Sequence, residues 1–328
     1  MDRKRILVVA AVIRDGGRIL LARRPQHVHQ GGLWEFPGGK VELDETEPQA
    51  LARELHEELG ITPRQMLPLI RISHDYPDKS VTLSVWEVAA FDGLEAVSGP
   101  LGREGQEIAW HQPASLRTLS FPAANVPIVA AATLPRGWCI TPPLETPDAV
   151  RAWARARLPS GELATPAGHG WLLRLPGWSE RDYMAIATEL LMLSRPHGLP
   201  LLLHGHPARL QALPLAAGIH VPATLARDLP LSGEGWRSAL LPEHWLSLAA
   251  HDAGELARAK ALGATCALLS PCRATASHPG QTPLGDEAWA ALVTPAALPV
   301  YALGGMTPAD HDTVRHLGGQ GVAGIRGF

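Results

Sequence analysis

The chain has few of the features that mark membrane, secreted or nucleic-acid-binding proteins. Its three cysteines, Cys139, Cys266 and Cys272, are scattered and form no metal-binding pattern, which favours free thiols in a reducing cytoplasm. A net charge of −3 gives no basic footprint for a nucleic acid polymer. The apolar run Ile6–Ile13 stops at Arg14 and no signal-peptide cleavage site follows it, so it predicts a strand rather than a leader or a membrane span.

Aromatic residues are also scarce, apart from tryptophan. The chain has 10 Trp against 4 Phe and 3 Tyr, and the scatter of the tryptophans gives no repeat. Its 328 residues suffice for two domains with separate cores. Residues 134–147, LPRGWCITPPLETP, contain four prolines, and such a segment is typical of a domain boundary. We therefore predict one domain over residues 1–135 and a second over residues 136–328.

Residues 39–61, GKVELDETEPQALARELHEELGI, form the most informative segment. Nine positions follow the pattern G-x5-E-x7-R-E-U-x-E-E-x-G-U, where U is a bulky aliphatic residue. Good helix formers fill Thr46–Leu59 and Gly60 follows as a stop, so the segment predicts a helix. At about 100° per residue, the leucines share one stripe and the glutamates lie on a neighbouring arc. The leucines are Leu51, Leu55 and Leu59, and the glutamates are Glu54, Glu57 and Glu58.

These three glutamates predict a metal site. Carboxylates three and four residues apart on a helix repel one another, and a cation removes that penalty. Hard oxygen ligands of this kind suit Mg²⁺, with Mn²⁺ as an alternative. Arg53 is placed to hold one of the carboxylates. The alternative is a solvated acidic helix face with local salt bridges, but the Gly38–Gly39 loop before the helix and the complete spacing favour the metal site.

The pattern resembles the Nudix box, and residues 1–133 resemble the MutT-type Nudix hydrolases, which remove oxidised guanine nucleotides from the nucleotide pool. The resemblance implies an α/β/α sandwich that hydrolyses 8-oxo-dGTP to 8-oxo-dGMP and pyrophosphate with Mg²⁺. It leaves open which glutamate is the general base. The implied catalytic residues are Arg53, Glu54, Glu57 and Glu58, and the implied metal ligands are Gly38, Glu54, Glu57, Glu58 and Glu104.

The same resemblance implies contacts with the nucleotide. The Asn125 amide offers a donor and an acceptor to the O6 and N7–H edge of 8-oxoguanine. Tyr76 and Lys79 stand where the family has an aromatic residue and a base-contacting Arg, and Lys lacks the planar fork of Arg. Taken singly, Phe36 would be assigned to the core and Asn125 to a turn, but their joint order supports binding. The implied substrate-binding residues are Arg24, His29, Glu35, Phe36, Pro37, Gly38, Lys79 and Asn125.

Short apolar runs alternate with helical segments beyond residue 136, a pattern typical of a parallel (β/α)₈ barrel. The chain stops three residues after the eighth run, so we expect no last outer helix. The predicted strands are Trp138–Thr141, Trp171–Leu175, Pro200–Leu203, Gly218–Val221, Trp245–Ala249, Thr265–Ser270, Pro299–Leu303 and Gly321–Ile325.

The strings LLRLPGWSERDY, GIHVP, PVYALGGMTP and GVAGIRGF follow in order the landmarks of thiamine phosphate synthases and their TenI-like relatives, so residues 137–328 resemble that family. The resemblance implies a backbone phosphate site after strands 7 and 8, at Gly304, Gly305, Ala323 and Gly324. Other family positions are changed, which disfavours synthase and tautomerase activity. The changed positions are Pro176, His204-Gly205-His206, Val221-Pro222-Ala223, Ser270-Pro271-Cys272 and Arg273–His278.

Two alternatives stay open at this point. The Nudix site would act on thiamine diphosphate or a damaged form of it, if the barrel indicates the substrate. Otherwise the barrel would be a binding module for a thiamine precursor, such as a thiazole or pyrimidine phosphate. His204, His206 and His220 are either part of a barrel site or hydrogen-bonded polar residues. The expected partners are small phosphorylated molecules, with no nucleic acid polymer and no membrane, and an oligomer is compatible with the sequence.

Overall fold

The computed structural model describes residues 5–27, 30–76, 80–159, 168–275, 280 and 282–328. They group into two compact units, Met1–Leu134 (unit 1) and Pro135–Phe328 (unit 2). Within these ranges, none of the helices combines the length and apolar character that a membrane crossing requires. The three cysteines are unpaired and buried.

Unit 1 is built on a mixed six-stranded sheet with the strand order β3-β2-β1-β5-β4, and β6 pairs with β2. Strands β1 and β5 are parallel, whereas the pairings of β2 with its neighbours and of β4 with β5 are antiparallel. The elements are β1 (Arg5–Asp15), β2 (Arg18–Arg23), β3 (Trp34–Glu35), α1 (Glu47–Leu59), β4 (Thr62–Asp75), β5 (Ser80–Asp92), β6 (Ile108–His111) and α2 (Val126–Thr133).

Helix α1 begins and ends as its sequence predicts. The Thr46 N–H donates to the Gln49 side chain at 2.9 Å before the first turn, which is one half of a capping box. Gly60 follows the last turn with φ +75°, a left-handed conformation that glycine adopts without strain. The predicted leucine stripe is fully buried and packs with Val9, Ala11 and Ile13 of β1. This packing fixes which face of α1 is left for the glutamates.

The apolar runs Arg18–Ala22 and Val81–Ala90 predict the strands β2 and β5, whereas β3, β4 and β6 were not predicted from the sequence. Pro63 and Pro68 lie inside β4, and proline cannot donate a hydrogen bond to a neighbouring strand. The pairing of β4 with β5 is irregular at both prolines, with register shifts between Pro63 and Gln65 and between Pro68 and Ile70. The shifts accommodate the prolines and let the strand continue through residues that resemble breakers in the sequence.

Unit 2 is a closed barrel of eight parallel strands, as predicted, and most strand ends lie within two residues of the predicted ones. No helix follows the last strand in residues 325–328. The strands are β7 (Gly137–Ile140), β8 (His169–Leu172), β9 (Leu201–His204), β10 (Gly218–Val221), β11 (Trp245–Ala250), β12 (Cys266–Leu269), β13 (Val300–Leu303) and β14 (Gly321–Gly324). The helices are α3 (Pro147–Arg155), α4 (Glu180–Ser194), α5 (Arg209–Ala212), α6 (Ala223–Asp228), α7 (Ala253–Ala261), α8 (Gly285–Val293) and α9 (His311–His316).

The amino-terminal end of the barrel is filled by aromatic side chains. Trp138 of β7 meets Trp245 of β11 edge to face, with ring centroids 5.9 Å apart. Tyr301 of β13 lies 6.2 Å from the same Trp138 ring, and its hydroxyl donates to the Pro135 carbonyl at 2.6 Å. Because these three strands are not neighbours, their rings meet inside the barrel, where they pack as a hydrophobic layer.

Candidate active site in unit 1

A glycine loop lies beside β1 and forms the floor of the site. The carbonyls of Pro37 and Gly39 accept hydrogen bonds of 2.8 Å from the N–H groups of Ala11 and Val9. The carbonyl of Gly38, between them, accepts no hydrogen bond from a described residue. A Cβ atom at position 38 would lie 2.2 Å from the Val9 carbonyl oxygen, and φ there is +144°. Only glycine fits this close approach of two backbones.

Two of the predicted carboxylates of α1 lie directly on this loop. The Gly38 N–H donates to Glu58 Oε2 at 3.1 Å. A Cβ atom at position 39 would lie 2.2 Å from Glu54 Oε1, so the absence of a side chain makes room for that carboxylate. The paired glycines therefore serve two purposes, since one donates to Glu58 and the other accommodates Glu54.

Arg53 holds three carboxylates, where the sequence predicted one. Its guanidinium donates to both oxygens of Glu45, at 2.7 and 3.1 Å, and also to Glu54 at 3.0 Å and Glu57 at 3.1 Å. A further bond of 3.1 Å reaches the Lys40 carbonyl in the glycine loop. The hydrogen bonds from Glu45 and the other carboxylates raise the pKa of Arg53 above its ordinary value. Arg53 thus fixes the loop and two helix glutamates in one network.

The carboxyl groups of Glu54 and Glu58 are crowded and poorly solvated. Burial raises the pKa of Glu58 to about 8, and the charges of Glu35, Glu54 and Glu104 add to that rise against the Gly38 N–H bond. Burial also raises the pKa of Glu54, and the charges of Glu57 and Glu104 act in the same direction. Negative charge at this end of α1 is therefore only partly compensated by the protein.

The predicted residue Glu104 lies on a loop that approaches the same end of α1. Its side chain is exposed, and it forms no hydrogen bond or ion pair with a described residue. Its charge nevertheless acts on both Glu54 and Glu58. The structure therefore brings Glu104 into the electrostatic range of the helix carboxylates, although 46 residues separate it from Glu58 in the sequence.

The residues present fit a divalent cation by their chemistry. Across the described ranges, no three acidic, histidine or cysteine side chains converge tightly enough to form a metal cluster. The donors are nevertheless hard carboxylate oxygens beside an unused backbone carbonyl at Gly38, and the raised pKa values of Glu54 and Glu58 reflect repulsion and burial that a cation would offset. Glu54, Glu57, Glu58, Glu104 and Gly38 would hold the ion.

A cavity of about 260 Å³ opens beside the glycine loop. Most of the predicted substrate-binding residues of unit 1 line it, together with Tyr76 and Lys40. His29 and Lys79 lie outside the described residues, and Pro37 contributes its carbonyl to β1 rather than a surface to the cavity. The lining includes Arg24, Gln30, Glu35, Phe36, Gly38, Gly39, Lys40, Tyr76, Pro122, Ala124 and Asn125.

The side chains that line this cavity differ in the contacts that they make with the rest of unit 1. Phe36 is buried and stacks on Phe121 with ring centroids 5.7 Å apart. Arg24 forms an ion pair with Glu35, although burial outweighs that pair and raises the pKa of Glu35. Asn125 immediately precedes α2, yet its side chain makes no capping bond to that helix. The Asn125 amide is therefore not used to stabilise α2.

Sequence reasoning missed the partners that support these residues. Glu45 was recognised only as a fixed position of the pattern, and the structure shows it as the main partner of Arg53. Arg103 was not singled out, yet its N–H donates to the Glu58 carbonyl at 2.7 Å and its guanidinium donates to the His56 carbonyl at 3.2 Å. The role of Arg103 has no local sequence signal, because it depends on a distant loop that returns to α1. The role of Glu45 depends on how the segment just before α1 folds back towards Arg53.

In unit 2, the predicted phosphate residues lie together at the carboxyl ends of two paired strands. Leu303 of β13 pairs with Ala323 of β14, and Gly304–Gly305 follow with φ values of +95° and +68°. A Cβ atom at position 305 would lie 2.8 Å from the Ala274 carbonyl oxygen. Both positions thus require glycine, and they form a tight backbone turn of the kind that presents N–H groups to an anion.

The barrel histidines divide into buried and exposed ones. His220 is buried, and its Nδ1 atom lies 2.8 Å from Ser247 Oγ. Burial lowers the pKa of His220 to about 3 and that of His204 to about 4, so both rings are neutral at pH 7. The exposed His206 accepts a bond from the Ala208 N–H. Arg174 adds positive charge near the rings of His220 and the half-buried His204, and its side chain has no hydrogen-bond or ion-pair partner within the described ranges.

Comparison with known proteins matches each unit to a family. A model described as "NUDIX domain" matches residues 8–131, and one described as "Thiamine monophosphate synthase" matches residues 160–328. An 8-oxo-dGTP diphosphatase from Escherichia coli (strain K12) is 37% identical over 128 residues, which cover 39% of this chain and 95% of that protein. The chain belongs to the Nudix family and, through its barrel, to the thiamine monophosphate synthase family.

Two further relatives match the Nudix unit. An 8-oxo-dGTP diphosphatase from Proteus vulgaris is 48% identical over 89 residues, covering 27% of this chain and 80% of that protein. A CTP pyrophosphohydrolase from Escherichia coli (strain K12) is 40% identical over 129 residues, covering 39% of this chain and 92% of that protein. The Nudix unit is thus a hydrolase that acts on diphosphate linkages.

Proposed function

We propose that residues 1–135 form a Mg²⁺-dependent hydrolase, with Mn²⁺ as a substitute, that converts 8-oxo-dGTP to 8-oxo-dGMP and pyrophosphate. One observation carries the proposal. The cavity lined by Phe36 and Asn125 opens onto the glycine loop, and the carboxylates of Glu54 and Glu58 contact that same loop from α1. A purine and its phosphates need these two environments side by side. Two of the relatives described above are named as 8-oxo-dGTP diphosphatases, which supports this substrate.

The side chains divide the chemical work. Bound Mg²⁺ would neutralise the phosphate oxygens and lower the pKa of a water molecule. Arg53 keeps Glu54 and Glu57 oriented, and the Gly38 N–H keeps Glu58 on the loop. A glutamate outside the innermost ligands accepts the proton of the attacking water, and the assignment among Glu54, Glu57 and Glu58 stays open.

Recognition of the base rests on Asn125. An amide presents a donor and an acceptor together, and 8-oxoguanine, unlike guanine, carries a hydrogen on N7. Because Asn125 is not engaged as a helix cap, its amide is available to the cavity that it lines. Phe36 is too buried to offer a whole ring face, so it supports the cavity through its stack with Phe121 rather than acting as an open platform for the base.

A substrate panel on the full chain tests this proposal. Pyrophosphate release would be measured with 8-oxo-dGTP, dGTP, CTP and thiamine diphosphate at equal Mg²⁺. We expect the highest kcat/KM with 8-oxo-dGTP. Equal rates with 8-oxo-dGTP and dGTP would contradict the substrate assignment. A preference for CTP would favour the specificity for which the Escherichia coli relative is named, and a preference for thiamine diphosphate would place the barrel and the Nudix site in one pathway.

For residues 136–328 we propose a binding site for a thiamine-related phosphate. The glycine turn after β13 supports this second function, because its backbone geometry suits an anion while the residues around it differ from those of a synthase. Calorimetry of the full chain with thiamine phosphate and with inorganic phosphate tests it. Binding of neither would contradict the proposal, and binding of inorganic phosphate alone would limit it to a simple anion site.

A further inference from the structure

The loop of residues 101–107 is tied to the last turn of α1 by one side chain in particular. The Gln106 amide nitrogen donates to the Glu58 carbonyl at 3.2 Å, and its amide oxygen accepts from the Glu104 N–H at 3.1 Å. The Gln106 carbonyl also accepts from the Gly102 N–H at 2.8 Å, which closes the loop on itself. A single amide thus links the backbone of Glu104 to the backbone of Glu58.

Two glycines make room for this arrangement. A Cβ atom at position 102 would lie 2.6 Å from the amide carbon of Gln106. A Cβ atom at Gly60, just after α1, would lie 2.4 Å from Nε of Arg103. Because neither glycine has a side chain, the Gln106 amide and the Arg103 guanidinium can lie directly against the backbone at these positions. The contact between loop and helix is therefore made by the Gln106 side chain together with the Arg103 N–H.

Glu104 itself has little else to orient it. Its side chain is exposed, and within the described ranges it makes no hydrogen bond or ion pair of its own. An exposed glutamate on a loop samples many rotamers, and ordering it costs conformational entropy. The direction of the carboxylate is then set by the backbone from which it projects, and that backbone is held by Gln106.

We propose that Gln106 is a positioning residue that holds Glu104 beside Glu54 and Glu58. This inference rests on the function proposed above, in which Glu104 is a ligand of the metal ion. Groups that orient metal ligands from outside typically change metal affinity or activity about 10- to 100-fold when they are removed. Gln106 acts here through a main-chain contact, so we expect an effect near the lower end of that range.

The test compares the wild type with Gln106→Leu, Glu104→Gln and the double variant. The Mg²⁺ concentration for half-maximal pyrophosphate release and the binding of Mn²⁺ to the free protein, measured by electron paramagnetic resonance, are the two readouts. We expect Gln106→Leu to raise the half-maximal Mg²⁺ concentration about tenfold and to weaken Mn²⁺ binding similarly. In the Glu104→Gln background, Gln106→Leu is expected to change either readout less than about twofold, since coupled residues are not additive.

The controls separate positioning from folding. Gln112→Leu makes the same chemical change at an exposed glutamine on the following segment and is expected to leave both readouts unchanged. The Arg103 N–H bond to Glu58 remains in Gln106→Leu, so the loop should stay attached. Should Gln106→Leu fail to fold, the uncharged Gln106→Met, which has a side chain of similar length and no amide, replaces it, and its effect must show the same dependence on Glu104.

The outcomes distinguish the two proposals. An active wild type in which Gln106→Leu leaves both readouts unchanged would overturn the positioning role alone. Equal losses from Gln106→Leu in the wild-type and Glu104→Gln backgrounds would also overturn it, because Gln106 would then act through the stability of the fold and not through Glu104. A wild type that binds Mn²⁺ but hydrolyses none of the nucleotides would refute the proposed activity, while the effect of Gln106 on Mn²⁺ binding would still decide the positioning role.

Discussion

The two units hold opposite kinds of polar site. In unit 1, several carboxylates crowd at one end of α1, and their raised pKa values show that the protein compensates their charge only in part. In unit 2, the carboxyl ends of β9 and β10 carry two neutral histidines near Arg174. The first site is chemically suited to a cation and the second to an anion. The difference teaches that burial disfavours the charged form of both kinds of group, since it raises the pKa of the carboxyl groups and lowers the pKa of the histidines.

The largest effect should come from removing a carboxylate of the Nudix helix. Glu58→Gln keeps the shape of the side chain and its acceptor for the Gly38 N–H, but removes the charge. We expect kcat to fall about a thousandfold, since a catalytic metal contributes several kcal/mol to the transition state. Steady-state pyrophosphate release measures this. Glu95→Gln, at an exposed position of the same unit, serves as the control, and an unchanged kcat in Glu58→Gln would refute the acidic site.

Asn125→Ala should separate base recognition from catalysis. We expect the preference for 8-oxo-dGTP over dGTP to fall about 10- to 100-fold, because a lost hydrogen bond to a buried polar group costs about 1–3 kcal/mol. Stability should change little, since the Asn125 side chain does not cap α2. The ratio of kcat/KM for the two nucleotides is the measurement. A parallel loss for both nucleotides would show that Asn125 does not read the oxidised base.

The neutral histidines predict that the barrel loses stability in acid. The unfolded chain binds a proton at His220 near pH 6.5, whereas burial lowers the pKa of the folded residue to about 3. The contribution of His220 to the free energy of unfolding should therefore have its full value above pH 6.5. It should fall by about 1.4 kcal/mol per pH unit between pH 6.5 and pH 3. Urea unfolding at several pH values measures the slope. His220→Gln should reduce the slope of the free energy of unfolding against pH by the amount that corresponds to about one bound proton. The exposed His316→Gln should leave that slope unchanged.

The smallest effect is expected at the glycine turn after β13, where Gly305 can be compared with Gly177, a glycine that has open space around it. Gly305→Ala introduces a Cβ atom 2.8 Å from the Ala274 carbonyl oxygen at a φ of +68°, whereas Gly177→Ala has a φ of +83° and nothing within 4 Å. Both variants carry the left-handed cost of about 1 kcal/mol. We expect Gly305→Ala alone to weaken thiamine phosphate binding several-fold, measured by calorimetry, with nucleotide hydrolysis unchanged. Equal binding by the two variants would argue against a phosphate site at this turn.

The sequence predicts best where structure is local. The ends of α1 follow from Thr46 and Gly60, and the barrel strands follow from short buried apolar runs. It fails where a tertiary irregularity decides the outcome. Strand β4 was missed because its prolines are tolerated only through register shifts against β5.

The candidate site divides in the same way. The glutamates of α1 could be predicted because their spacing places them on one arc of one helix. The bridge made by Gln106 could not, since it depends on a loop that approaches α1 from elsewhere in the chain. The bonds from Arg53 to Glu45 could not either, since they depend on how the segment before Thr46 folds back along α1. The link between His220 and Ser247 likewise follows from the register of β10 with β11, which apolar periodicity does not specify.

The aromatic layer formed by Trp138, Trp245 and Tyr301 fills the barrel interior at its amino-terminal end, so the barrel is not an open channel. A small molecule cannot travel along the axis from one rim to the other. Whatever enters beside His204 must leave by the same rim, so loops at that rim alone control exchange.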